Sequence, residues 1–225
     1  MTATLAVIAK VPAAGRVKTR LCPPCTPLEA ARLAEASLRD VLDAMLATPA
    51  ERRAVVLEGC APAWLPPQLD VVSQRGDGLD ERLAHAFADL GRALVISMDT
   101  PQVRPADLLA GLRALCRHDA VLGPAADGGY WAIGLRRPDP RALLGVPMGH
   151  EYTLAVQRRR LDALGLRRAE LRVLRDVDTW ADALGAAAEA PRTRFAAAVS
   201  ATGLAFGVQR LEHAVGAAGH EDAPG

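Results

Sequence analysis

Lysine occurs only twice in this chain, and both copies, Lys10 and Lys18, fall in one short segment. Lys10-Val-Pro-Ala-Ala-Gly15-Arg16-Val-Lys18-Thr-Arg20 sets four cations around a glycine. Backbone N–H groups beside a glycine can approach phosphate oxygens closely, and Lys or Arg neutralises their charge. Lys10, Gly15, Arg16, Lys18 and Arg20 are therefore expected to hold the phosphates of a nucleotide, the alternative being a solvated basic loop. The spacing is not a P-loop, because no Gly-Lys-Ser/Thr closes it, and it lacks the dinucleotide fingerprint.

Three acidic positions complement the basic loop. Leu94-Val-Ile-Ser-Met98-Asp99 puts a carboxylate at the carboxyl end of an apolar run, where a hard cation such as Mg2+ or Mn2+ could bridge it to phosphate oxygens. Asp178, in Asp176-Val-Asp178-Thr179, is the second expected metal ligand, although an Asp just before a helix can equally be its N-cap. Gly123-Pro-Ala-Ala-Asp127-Gly128-Gly129-Tyr130-Trp131 joins a carboxylate, glycines and two aromatics in a chain only 4% aromatic. Asp127, Gly128, Gly129 and Tyr130 are expected to bind a sugar or other polar acceptor, with Asp127 meeting its hydroxyls. Asp-Gly-Gly is also an ordinary hairpin turn. Gly76-Asp-Gly-Leu-Asp80-Glu81-Arg82 forms a fourth cluster, in which Gly76 and Arg82 are expected to close over the nucleotide; its alternative is a glycine turn and an acidic helix start.

These residues need a scaffold that brings strand ends together. Apolar runs at 4–9, 54–57, 70–73, 93–97, 120–123, 130–135 and 171–174 read as strands. Helical stretches are expected at 27–46 (Thr26 as N-cap), 79–90, 105–116, 153–164 and 179–187, and a Gly-interrupted one at 192–214. Strands alternating with helices predict a layered α/β domain with a mostly parallel sheet, in which ligands sit at the carboxyl ends of the strands. Residues 1–215 are expected to form one domain and 216–225 a disordered tail.

The composition excludes several classes. With 27 basic against 26 acidic residues the net charge is +1, so no basic footprint for nucleic acid or an anionic membrane exists. No apolar run approaches the roughly 20 residues of a membrane span, and the N-terminus does not read as a signal peptide. The expected location is cytoplasmic, which suits four cysteines that make no disulfide framework. Cys22-Pro-Pro-Cys25 has redox spacing but does not open a helix after a strand, so neither redox chemistry nor zinc is expected there. The five histidines show no ligand spacing, and a Gly-x-Ser-x-Gly elbow is absent.

The chain resembles the DUF2064 family of bacterial proteins, with the glycosyltransferase A, or nucleotide-diphospho-sugar transferase, fold. The blocks that carry the resemblance are Lys10-x-Pro-x-x-Gly15-x-x-Lys18-Thr-Arg20-Leu21, Gly76-Asp-Gly-Leu-x-Glu81-Arg82-Leu83, Met98-Asp99-Thr-Pro101, Gly123-Pro-Ala-Ala-Asp127-Gly-Gly-Tyr130 and Asp176-Val-Asp178-Thr179. The resemblance implies a single-domain Rossmann-like fold with a mostly parallel central sheet, a nucleotide under the first loop and a divalent metal on Asp99, with Asp178 as the second carboxylate. Asp80 departs from the pattern, where glycine is expected, as does Gly149-His150-Glu151-Tyr152 in place of a Ser/Thr-containing segment.

Three functions fit these residues. The leading one is a metal-dependent glycosyltransferase that uses a nucleoside diphosphate sugar and a small-molecule acceptor, with Lys18 stabilising the leaving group. The second is a nucleotidyltransferase joining a nucleoside triphosphate to a small phosphorylated acceptor with release of pyrophosphate. The third, a non-catalytic nucleotide sensor, leaves Asp99 without a role. The sequence does not fix the oligomeric state, and a homodimer stays open.

Overall fold

The computed structural model describes residues 3–203. Strands β1 (Thr4–Lys10), β2 (Arg52–Glu58), β3 (Asp70–Ser73), β4 (Ala93–Ser97), β5 (Ala120–Pro124), β6 (Tyr130–Leu135) and β7 (Arg168–Glu170) form one sheet in the order β3-β2-β1-β4-β6-β5-β7. β3, β2, β1 and β4 run parallel, β6 is antiparallel to both neighbours, and β7 is parallel to β5. The mostly parallel α/β sheet expected from the sequence is thus present, as is its consequence: β1 and β4 are adjacent and end at the same edge.

Both faces of the sheet are covered, which explains why its central strands read as unbroken apolar runs. Along β1, Leu5, Val7 and Ala9 enter one core with residues of α1 (Pro27–Ala47) and α3 (Pro105–Ala114). Ala6 and Ile8 enter the other with α2 (Leu79–Leu90) and α4 (Thr153–Ala163). A third cluster joins Leu21, Cys25 and α1 to α5 (Trp180–Glu189) and to the helical residues 194–203.

Helix starts follow local chemistry. Thr26 caps α1 through a capping box with Glu29, and Pro27 occupies the first turn. Asp40, buried in α1, caps another element: its carboxylate accepts the Arg194 and Phe195 backbone N–H groups at 3.0 and 2.8 Å. Of the helix expected at 192–214, residues 194–203 are helical; the rest, like the tail expected at 216–225, lies outside the described residues.

One strand is shifted. Pairing with β5 occurs at Arg168–Glu170; in Leu171–Leu174, the stretch expected to be the last strand, Leu171 N–H still donates to Leu122 O at 2.8 Å, and contact resumes at an isolated bridge between Ala125 and Leu174. The physical reason is that β5 ends at Pro124, where its pairing with β6 turns irregular and proline has no N–H to donate. Beyond that point side chains take up two of the carbonyls: Trp131 Nε1 donates to Arg172 O at 3.0 Å and Gln102 Nε2 to Arg175 O at 2.7 Å. Among the described residues no helix is long and apolar enough to cross a membrane.

Candidate functional site

The site lies where β1, β4 and the β5–β6 turn meet. Downstream of β1, buried Val17 and Leu21 anchor the chain on either side of Lys18. Lys18 adopts left-handed backbone angles, φ 51° and ψ 36°, and heads a short 3-10 helix, Thr19–Leu21. Its side chain turns inward, leaving only 10% exposed, and sets Nζ 2.9 Å from Asp99 Oδ1 while also donating to Val177 O. Arg20 pairs with Asp178.

Asp99 is held by what surrounds the end of β4. Its N–H donates to Ser97 Oγ at 3.1 Å, and its carbonyl accepts the Val177 N–H at 3.0 Å. The 176–178 segment therefore lies across the β4 terminus and brings Asp176 and Asp178 to Asp99. Ser97 Oγ also reaches Asp176 Oδ1 at 3.5 Å. Thr179, not Asp178, caps α5, in a capping box with Asp182, so the capping alternative for Asp178 is set aside.

The charges sense one another. Burial opposes the charge on Lys18, yet Asp99, Asp176 and Asp178 outweigh it and hold the ammonium above its ordinary pKa. Asp176 responds the other way: burial, then Asp99, Asp127 and Asp178, push its carboxyl up to about 8, against the pull of Lys18. Four carboxyl groups meet here, with Asp99 paired to Lys18 and Asp178 to Arg20. Among the described residues no three His, Cys, Asp or Glu side chains form a ready ligand set. A cation of the Mg2+ type needs fewer protein ligands, taking one or two carboxylates and completing its shell with water and phosphate oxygens, and Asp99 and Asp178 on the larger cavity are carboxylates of that kind.

Two adjoining cavities share Ile8, Leu79, Ser97 and Asp99. The larger, about 490 Å³, is lined by Lys10, Arg16, Lys18, Arg20 and Arg82 together with Asp99 and Asp178. The smaller, about 200 Å³, is lined by Asp99, Asp127, Gly129, Tyr130 and Asp176. Gly15, Gly76 and Gly128 line neither cavity. They have φ values of 74°, 109° and 88°, which favour glycine. Gly128 also lies so close to the Glu151 carbonyl that a Cβ would collide with it.

Several residues have structural partners as well. Lys10 lies 3.2 Å from Glu58, which also pairs with Arg82, and Arg82 Nε donates to Gly76 O at 3.0 Å. Asp127 is exposed, and its Oδ1 accepts the Gly129 N–H at 2.9 Å, so the hairpin-turn reading of Asp-Gly-Gly holds alongside its position on the smaller cavity. The Tyr130 hydroxyl donates to Gln157 Oε1 at 3.5 Å, and burial followed by Asp80 raises its pKa. Asp80, the departure from glycine, accepts the Gly145 N–H at 2.9 Å. All four cysteines are free; Cys25 is buried, and burial with Glu29 and Cys22 pushes its thiol up to about 11, which opposes thiolate chemistry.

Gln74 and Ser97 are further members of the site, beyond those the sequence singles out. Gln74 Nε2 ties β1 to β2 by donating to Ala9 O and Val56 O at 2.7 and 2.9 Å, and its side chain lines the larger cavity. Nothing local marks it. For Ser97 a signal existed: a hydroxyl two residues before the strand-end carboxylate.

Comparison with known proteins defines the class first: the fold is that of the nucleotide-diphospho-sugar transferases. The chain matches the crystal structure of a candidate nucleotide-diphospho-sugar transferase from Desulfovibrio desulfuricans G20 with TM-score 0.82 and 26% identity, over 91% of this chain and 96% of that one. Rv0371c from Mycobacterium tuberculosis H37Rv, crystallised with manganese, aligns at TM-score 0.51 and 23% identity over 83% of this chain and 97% of its own. CMP:2-keto-3-deoxy-manno-octonic acid synthetase complexed with CTP aligns at TM-score 0.50 and 14% identity over 83% and 99%. No protein of curated function matches in sequence. The chain belongs to the DUF2064 family, described as uncharacterized protein conserved in bacteria, whose profile matches residues 32–150.

Proposed function

We propose that this protein is a metal-dependent glycosyltransferase that moves a sugar from a nucleoside diphosphate sugar to a small-molecule acceptor. The observation that carries the reading is the inward Lys18, 2.9 Å from Asp99 at the border of a basic and an acidic cavity. Similarity to the Desulfovibrio structure supports a transferase acting on a nucleotide sugar.

In this reading Lys10, Arg16, Lys18, Arg20 and Arg82 bind the phosphates, while Gly15 and Gly76 shape the loops that carry them. Asp99 and Asp178 would hold Mg2+ or Mn2+, which when bound supplies charge neutralisation on the diphosphate. The acceptor oxygen attacks the anomeric carbon, the bond from that carbon to the diphosphate breaks, and the nucleoside diphosphate leaves with the electron pair. Lys18 stabilises the charge that develops on the leaving oxygen, and its fixed position means little reorganisation is needed. Asp127 orients the acceptor's hydroxyl and receives its proton, Gly129 and Tyr130 form the wall around it, and Gly128 shapes the turn that carries Asp127.

The test is the leaving group. With Mg2+ present, incubation with nucleoside diphosphate sugars should release nucleoside diphosphate, and Asp99→Ala should abolish the release. Pyrophosphate released from a nucleoside triphosphate instead would establish nucleotidyl transfer and overturn the proposal.

A further inference from the structure

The two cavities differ in the sign of their charge, and the difference bears on the acceptor. The larger is lined by five Lys or Arg side chains. The smaller has three carboxylates, Asp99, Asp127 and Asp176, and no Lys or Arg at all. Its remaining wall is mainly apolar, with Ile8, Leu79, Leu83, Ile133, Met148 and the Tyr130 ring. His150 is the one other ionisable base on it, and that ring is exposed and stacked on Tyr152 with centroids 4.9 Å apart. Lys18 pairs with Asp99 and Val177 O and lines the larger cavity, not the smaller.

Resting on the reading of the larger cavity as the nucleotide site, we infer that the smaller cavity takes an uncharged, hydroxyl-bearing molecule with an apolar face and excludes phosphorylated ones. A phosphate monoester would bring close to two negative charges against the Asp99 and Asp127 carboxylates, with no guanidinium or ammonium on the cavity wall to receive it. A divalent cation on Asp99 and Asp178 does not alter this. Its charge is shared with those two carboxylates and the nucleotide, which leaves the Asp127 carboxylate facing the smaller cavity. A neutral molecule meets carboxylates that accept its hydroxyl protons and an apolar wall for its ring or chain, the usual division of labour in a small-molecule site.

The methionines report on each cavity separately. Met98 lines the larger one, Met148 lines the smaller one, and Met45 is fully buried in the core as a control. The full-length protein labelled with [13C-methyl]methionine is titrated with Mg2+ and nucleoside diphosphates. It is then titrated with two matched pairs: phenyl β-D-glucoside and its 6-phosphate, and 3-phenylpropanol and its phosphate ester. Expected are a Met98 shift with nucleotide, a Met148 shift with each neutral probe, and weaker binding of each phosphate by about tenfold or more. Asp127→Lys, at an exposed position, should narrow that ratio by about fivefold. Equal or tighter binding of the phosphates at Met148, no Met148 response to either neutral probe, or an unchanged ratio in Asp127→Lys would each overturn the inference while a Met98 response kept the nucleotide reading intact. No Met98 response to any nucleoside diphosphate would overturn the nucleotide reading itself, and the acceptor assignment with it.

Discussion

Asp107→Asn tests how the acidic segment is held in place. Asp107, on α3 and with a side chain only 7% exposed, receives Arg172 Nε and Nη2 at 2.6 and 2.7 Å in a two-pronged pair, and Arg104 completes its shell. Arg172 begins the stretch that leads to Asp176 and Asp178. Burial pushes the Asp107 carboxyl up, but the hydrogen bonds from Arg172 and Arg104 and the Arg172 charge prevail and bring it from 3.8 to about 2. A carboxyl whose pKa falls on folding stabilises the native state above its unfolded pKa, and that stability is lost as pH drops through the folded value. The contribution is about 2 kcal/mol at pH 7, about half of that at pH 3, and small by pH 2. Asparagine keeps the shape and one acceptor but removes the charge. Urea unfolding should therefore show wild type ahead by about 2 kcal/mol at pH 7, a midpoint difference of about 1 M, with the gap shrinking to about half by pH 3. A difference below about 0.5 kcal/mol at pH 7, or one that does not change with pH, would refute the reasoning.

Other predictions follow from single contacts. Gly128→Ala, at φ 88° and against the Glu151 carbonyl, should cost about 2–4 kcal/mol of stability in denaturant titration, whereas Gly15→Ala, with open space around the added methyl, should cost about 1. Asp40→Ala uncaps residues 194–203 from a distance and should lower stability by about 1–2 kcal/mol, seen as a lower melting temperature. Lys18→Met should weaken nucleoside diphosphate binding by about tenfold to a hundredfold and leave the free nucleoside unaffected, both measured by calorimetry; equal weakening of the two would remove Lys18 from the phosphates.

Much of the scaffold could be read from the letters because its signals are local. Leu5 to Ala9 and Leu94 to Ile96 are apolar on both faces, as buried parallel strands must be, and Thr26-Pro27 with Glu29 is a complete helix start. The strand expected at 171–174 is displaced because β5 ends at Pro124, where its pairing with β6 turns irregular, far away in sequence and not marked by the letters of 171–174. At the site, residue type placed Asp99 at a strand end. It did not show that Lys18 would fold inward, since that requires a left-handed backbone that a lysine seldom adopts. Nor could it show that Asp176 is buried, because the burial comes from a segment crossing β4 and tied to Asp99 by Val177. Asp178 could be read as a cap or as a ligand until Thr179 was seen to take the cap.

A metal-assisted site for a nucleoside diphosphate sugar should reveal itself in thermal unfolding with and without Mg2+ across a panel of nucleoside triphosphates and nucleotide sugars. A ligand at about a hundred times its Kd stabilises the native state by about 2.7 kcal/mol, or roughly 5–10 °C for a chain of this size. The predicted result is such a rise for at least one nucleoside diphosphate sugar, dependent on Mg2+ and absent in Asp99→Ala. A rise with a triphosphate and none with any sugar diphosphate, or a rise that Asp99→Ala keeps in full, would contradict it.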